Sequence, residues 1–167
     1  MPLAPKDPAI VRPATPGDAA GCALVHHTSW VETYSGLLPA AHWEKDTLEQ
    51  RTATWQRWLQ GDLTAIVAES GGLVVGVAFS STGRKIGAYE PVRDRELWLL
   101  YVLAAHHGTG TGQALLDAAL PPHSPAQLWV VEDNLRARRF YERNGFVADG
   151  ARFVDERLDL AEVRHVR

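Results

Sequence analysis

The chain has 167 residues, 46% of them hydrophobic and 22% charged, enough for one domain with a sizeable core and short for two. Its net charge of −3 argues against a nucleic-acid-binding surface, which is usually basic, and its lone cysteine, Cys22, excludes an internal disulfide or a cysteine-built metal site. The opening MPLAPKDPAI lacks the apolar run of a signal peptide and no stretch reaches the length of a membrane span, so the cytoplasm is the expected compartment.

Residues 9–15 (AIVRPAT) read as a short strand, with Pro13 tolerable only near an edge or an end. Thr15, Pro16 and Asp18 then form a helix-start signature. The helix that follows places Ala20, Ala23, Leu24, His27 and Val31 on one face. Gly36 and Pro39 mark a loop. Asp46 with Glu49 gives a second capping signature, and Leu48, Trp55 and Leu59 fall on one side of a helix that Gly61 closes.

LTAIVAES and LVVGVAFSS flank Gly71-Gly72, a hairpin signal. The polar run TGRKIGAYEPVRDR is a loop. Residues 96–103 (ELWLLYVL) form a nearly continuous apolar strand of the kind buried on both faces. Leu115, Leu116, Ala118, Ala119 and Leu120 support a helix ended by Pro121-Pro122, and QLWVV is another buried strand. Asp133 or Asn134 caps a further helix carrying Ala137, Phe140 and Tyr141, which Gly145 stops; FVADGARFVDERLDL predicts two short closing strands. Such an order predicts a mixed sheet covered by helices on both faces.

Between the apolar strand and the next helix stands AHHGTGTGQALL, with glycines at 108, 110 and 112. Glycine costs conformational entropy, so a packing or ligand reason is expected there. A strand, a glycine turn and a helix N-terminus together make an anion trap, because the first helical N–H groups lack partners and carry partial positive charge. Gln113 stands where a Walker-type loop needs lysine and where a dinucleotide fingerprint needs its third glycine, so both those readings fail. A tight turn without ligand is the bland alternative.

The run His107-Gly108-Thr109-Gly110-Thr111-Gly112 resembles the Gln/Arg-x-x-Gly-x-Gly/Ala signature of the GNAT superfamily of N-acetyltransferases, and NLRARRFYERNGF resembles that superfamily's Asn-x-x-Ala-x-x-Phe-Tyr-x-x-x-Gly-Phe. The resemblance covers most of the chain and implies one N-acetyltransferase domain over residues 1–167, with a core of about residues 9–162. The implied fold is α/β (α+β), a mixed and mostly antiparallel central sheet flanked by helices. The implied reaction moves the acetyl group of acetyl-CoA to a primary amine by direct attack in a ternary complex. The acceptor is a small-molecule or peptide amine, with no metal, nucleic acid or membrane involved and a homodimer allowed. A non-catalytic CoA-binding sensor is the rival reading. His107 departs from the signature's Gln or Arg, which weakens one side-chain contact to the pyrophosphate but leaves the backbone amides.

By the same resemblance, Tyr141 is the candidate acid for the leaving thiolate, its alternative being a core aromatic. Glu96, where the histone-acetyltransferase branch carries its glutamate, is the candidate base, its alternative an ordinary charged strand end; Glu32 and Glu132 are weaker candidates. Tyr101, Val102, Leu103, His107, Gly108, Thr109, Gly110, Thr111, Gly112, Gln113, Asn134 and Tyr141 are the implied coenzyme contacts. Asn134 reads equally as an N-cap. Arg138 and Arg139 read as phosphate contacts or as a solvated face. Trp30 and Tyr34 are candidate walls of the acceptor site or core, and Trp55 is core. His26-His27 and His106-His107 lack metal-ligand spacing, and Cys22 reads as a buried hydrophobe.

Overall fold

The computed structural model describes residues 9–167, so the expectation drawn from the first eight residues lies outside them. Among the described residues one sheet contains β1 (Ile10–Pro13), β2 (Ile66–Ser70), β3 (Leu73–Thr82), β4 (Arg95–Val102), β5 (Gln127–Val131), β6 (Val147–Asp155) and β7 (Leu160–Val166). Its order is β1-β2-β3-β4-β5-β7-β6, antiparallel everywhere except between β4 and β5. The helices are α1 (Ala19–Tyr34), α2 (Ala40–Lys45), α3 (Leu48–Gln60), α4 (Thr111–Ala119) and α5 (Leu135–Arg143). One face is covered by α1 and α3, whose Cys22, Val25 and Trp55 pack with Val67, Val77 and Phe79. On the other face α4 and α5 bring Leu116 and Tyr141 against Leu97, Leu128 and Phe146. The expected mixed, mostly antiparallel sheet with helices on both faces is therefore present.

Local chemistry explains much of this. Gly71 and Gly72 both have positive φ, 59° and 78°, which the two-residue turn between β2 and β3 needs for its twist. A Cβ on Gly76 would stand 2.7 Å from Leu115 Cδ1, so the bare backbone lets α4 lie close on β3. The Arg12 guanidinium bonds both oxygens of Asp18, at 2.8 and 2.9 Å, and also Glu69, tying β1 to β2 and to the start of α1.

Five sequence expectations are corrected. The buried face of α1 runs through Cys22, Val25 and Ser29, whereas Leu24 and Val31 are exposed. The loop at Gly36 is followed by α2, six residues and too short to show helical periodicity. Thr47, not Asp46, caps α3, accepting from the Gln50 amide at 3.2 Å, while Asp46 binds Arg51. In β4 only Glu96 and Leu97 are buried; Arg95 is exposed, and Trp98 to Val102 are half-exposed because one edge loses its neighbour. Finally, β7 lies beyond the stretch read as the closing pair and carries the sheet to Val166, past the expected core limit of 162. By contrast Trp55 and Cys22 are fully buried, as read.

Candidate functional site

The site begins with a strand that parts from its neighbour. The parallel register of β4 and β5 holds only Glu96 with Gln127 and Leu97 with Leu128. Across β3, Phe79 pairs with Leu99 and Ser80 with Leu97, leaving Trp98 as the extra residue of a β-bulge. A bulge bends its strand and sharpens the twist, and here the two parallel strands separate at that residue. The opening is part of a cleft of about 950 Å³ lined by Leu99 to Val102 on one side and Trp129 to Val131 on the other.

At the end of β4 the Leu103 amide donates to the Val75 carbonyl at 2.9 Å, and the chain then turns through the glycines. Gly108 and Gly110 have φ of 73° and 85°, which side chains rarely adopt, and Gly110 is the N-cap of α4. A Cβ at either would meet nothing within 4 Å, so the space before the turn is open rather than packed. Thr109 Oγ1 donates to the His106 carbonyl at 2.7 Å and lies 2.8 Å from Thr111 Oγ1, so the loop fastens itself. The first helical bond is Ala114 N to Gly110 O at 3.0 Å; the amides ahead of it are those an α-helix leaves without internal acceptors.

His107 is held twice. Its Nε2 lies 2.9 Å from the Val102 carbonyl and its Nδ1 lies 2.7 Å from Arg136 Nη1. Since guanidinium only donates and carbonyl only accepts, the two contacts suit the tautomer that donates from Nε2 and accepts at Nδ1. Arg136, on the first turn of α5, thus stands beside the glycine loop, where the sequence reading had named Arg138 and Arg139. Arg138 instead donates to the Glu132 carbonyl at 3.0 Å. Arg143 also lines the cleft.

Tyr141 reaches the cleft from the α5 side, 8% exposed. Burial raises its phenol above the ordinary value, so it stays protonated through neutrality. Among the described residues its hydroxyl has no hydrogen-bond partner. The facing wall is built from α1. His26 stacks on Tyr101 at 4.7 Å between ring centroids, and Trp30 Nε1 donates to the Tyr101 hydroxyl at 2.9 Å. Burial, with Arg51 nearby, lowers the His26 pKa to about 3, and Trp55 Nε1 donates to its Nδ1 at 3.3 Å. Tyr34 packs on Trp30, ring centroids 4.7 Å apart, and receives a bond from Asn134 Nδ2 at 3.4 Å.

The structure brings Tyr101, Val102, His107, the three glycines, Gln113, Asn134 and Tyr141 to the cleft, together with Trp30 and Tyr34. It withholds others. Leu103 spends its amide on β3 and its side chain in the core, and the hydroxyls of Thr109 and Thr111 are spent within the loop, which leaves only their backbone amides to offer. Asn134 is an N-cap, accepting from the Ala137 amide at 3.1 Å.

Glu96 is the main correction. It is fully buried outside the cleft lining, and its oxygens accept from the Arg84 amide at 2.8 Å, Arg84 Nε at 2.7 Å and Gln127 Nε2 at 2.9 Å. A carboxylate so saturated anchors the bulged start of β4 rather than accepting a substrate proton. Glu132 is paired with Arg152, and Glu32 is exposed at the rim. Sequence reasoning missed Arg84, Arg136, Arg143 and Glu162, which line the cleft. For Arg136 the signal was available, since it lies two residues past the Asn134 cap; for Glu162 it was hidden by misplacing the last strand.

No helix among the described residues is long and apolar enough to cross a membrane, and these residues hold no group of three His, Cys, Asp or Glu arranged for a metal ion. Comparison with known proteins agrees with the geometry. Residues 61–148 match the family model described as Acetyltransferase (GNAT) domain. The chain is 29% identical over 169 residues to Probable N-acetyltransferase Rv2775 of Mycobacterium tuberculosis, spanning 93% of this chain and 90% of that one. Its fold matches the crystal structure of histone acetyltransferase HPA2 and related acetyltransferase from Corynebacterium glutamicum, with TM-score 0.70, 20% identity and coverage of 95% and 94%. It also matches PaiA N-acetyltransferase from Thermoplasma acidophilum, solved in complex with coenzyme A, with TM-score 0.63, 21% identity and coverage of 95% and 99%. Parted parallel strands leading to a glycine turn, and a matching family model over more than half the chain, make this protein a member of the GNAT acetyltransferase family.

Proposed function

We propose that the protein transfers the acetyl group of acetyl-CoA to a primary amine, by direct attack with both substrates bound. The observation that carries this reading is the continuity of the β4–β5 opening with the turn at Gly108 and Gly110, whose bare backbone faces open space. Amides of the first α4 turn, with the Arg136 guanidinium beside them, suit a diphosphate. The edge of β4 beyond Leu97 that faces β5, paired with β3 on its other side only, suits the amide groups of a pantetheine arm running down the gap. A fold relative was solved with coenzyme A, which supports the same assignment.

The chemistry needs alignment and proton handling. The amine lone pair attacks the thioester carbonyl, the C–N bond forms and the C–S bond breaks. An ammonium acceptor loses two protons overall; one ends on the thiol and one is released. Tyr141, kept protonated by burial, supplies a hydrogen bond to the departing thiolate. A covalent acyl-enzyme does not fit: Cys22 is fully buried, away from the cleft lining, and burial pushes its thiol up to about 12.

Calorimetric titration with acetyl-CoA and measurement of thiol release with a panel of primary amines test the reading together. Saturable binding with amine-dependent thiol release is expected. Binding with no release across the panel would favour a coenzyme sensor, and a flat titration would overturn the site.

A further inference from the structure

Among the described residues the charged side chains lining the cleft are Glu32, Arg84, Arg136, Arg143 and Glu162. Arg136 and Arg143 belong to α5, and Arg136 stands at the glycine loop, on the side assigned to the coenzyme. Glu32 sits exposed at the rim of α1, accepting from the Ala104 amide at 3.4 Å. Arg84 is bound to Glu96 and stacks on Trp98, 4.3 Å from the ring centre. Its charge is balanced within the fold.

Glu162 is different. It lies inside β7 opposite Val131 of β5, half-buried, and among the described residues no donor lies within hydrogen-bonding distance of its carboxylate. On the same face of β7 its neighbours are Leu160 and Arg164. Arg164 is committed to Asp149 at 2.7 Å and to the Glu90 carbonyl at 2.7 Å. Burial raises the Glu162 carboxyl; Arg84 opposes that shift, and Asp155 and Glu96 add to it, with the Tyr34 phenol facing it from α1. A half-buried carboxylate without a partner is costly, so this position spends stability on something the free protein lacks. The surface around it is apolar and aromatic: Leu160 and Val131 pack with Trp30 and Tyr34, and Trp129 continues the same face of β5.

Resting on the transfer reading above, we propose that Glu162 seats the ammonium group of the acceptor, and that the acceptor is a monocationic primary amine carried on an aromatic or broad apolar body. An amino acid would set its own carboxylate against Glu162. A polyamine would need several free carboxylates where the wall offers aromatic rings. In the reaction the Glu162 carboxylate takes one proton from the ammonium and later releases it to solvent. The neutral amine then forms the C–N bond as the C–S bond breaks, and its second proton ends on the thiol.

The test is equilibrium binding of 2-phenylethylamine, with 2-phenylethanol and phenylalanine as probes of the same body bearing no charge or an added carboxylate. The wild type binds 2-phenylethylamine about tenfold or more tighter than either probe, one ion pair's worth of preference. Glu162→Gln loses that preference, binding the amine and the alcohol alike. It melts no lower than the wild type, because a buried charge has been removed, and it keeps its affinity for coenzyme A. Equal amine binding by wild type and variant, a preference for phenylalanine, or a lower melting temperature for Glu162→Gln would overturn the proposal. Coenzyme titration in the same series separates the two readings: amine binding that depends on Glu162, with no coenzyme binding, defeats the transfer reading and with it the acceptor role, leaving Glu162 as an amine-binding residue only.

Discussion

Arg136 Nη1 stands 2.7 Å from His107 Nδ1, joining the first turn of α5 to the glycine loop that precedes α4. The loop's first position carries histidine where the related signature carries Gln or Arg, and the Arg136 guanidinium reaches that histidine from another helix. The histidine ring acts as the post that holds it, anchored by its other nitrogen to the Val102 carbonyl.

Arg136→Ala should therefore weaken coenzyme A binding about tenfold, the order expected for one charge-assisted contact at an exposed position. The wild-type affinity should fall more steeply with added salt than that of the variant, since screening acts on the charge that was removed. Calorimetry at two ionic strengths reads both. Unchanged affinity would leave Arg136 as a prop for His107 alone.

Tyr141→Phe separates chemistry from binding. Its hydroxyl has no protein partner among the described residues, so removing it costs the fold little and leaves the ring packed against Phe140 and Phe146. We expect kcat to fall about a hundredfold, the lower range for losing a positioned proton donor, with coenzyme affinity within about twofold of the wild type. Steady-state kinetics beside a binding titration measure the pair. Turnover equal to the wild type would remove the residue from the mechanism.

Glu96→Gln asks the reverse question. Glutamine keeps the shape but loses the charge that holds Arg84, so the variant should be less stable by about 2 kcal/mol, within the range for a hydrogen bond to an ionised group. That corresponds to a fall of about 4–8 °C in Tm for a chain of this size. The pH profile of kcat/KM should keep its wild-type shape. A normal Tm with a lost acidic limb would restore Glu96 as the base.

The two strongest local signals, the glycine turn and the Asn134 to Phe146 block, located the cleft because each is set by backbone needs that sequence displays directly. The alternation around Gly71-Gly72 likewise fixed a hairpin. What sequence could not show were relationships across the sheet. Glu96 reads the same as a strand-end charge whether Arg84 and Gln127 close around it or a substrate does, and only the fold reveals their 2.7 and 2.9 Å contacts. The bulge at Trp98 is a one-residue mismatch between two strands, invisible in either alone. Short α2 and the late start of β7 lacked periodicity long enough to see, and Glu162 was missed with β7.

Buried histidines should make the fold acid-sensitive earlier than its carboxylates do. The folded pKa of His26 is lowered from 6.5 to about 3, chiefly by burial, with Arg51 and His27 opposing the charge and Asp46 favouring it. His165, fully buried with Glu142 of α5 4.0 Å from its Nε2, is lowered as well, chiefly by burial; Arg138 opposes its charge while Glu142, the Val163 backbone and Asp149 favour it. The unfolded chain takes up these protons first. Stability contributed by the neutral rings is thus complete above the unfolded value of 6.5 and is lost as pH falls below it. Asp18, held down to about 2 by Arg12, begins to lose its contribution only below 3.8. Glu162 works the other way, since its raised carboxyl takes up a proton more readily when folded. Melting in the Glu162→Gln background removes that offset, and there His26 alone accounts for about 2 kcal/mol between pH 7.5 and 5, at 1.36 kcal/mol per pH unit below the unfolded value. Adding His26→Phe, which keeps a ring on Tyr101, should shrink the fall in Tm over that interval. If Tm is flat from pH 7.5 to 5 in both backgrounds, the two imidazoles are not held neutral by the fold.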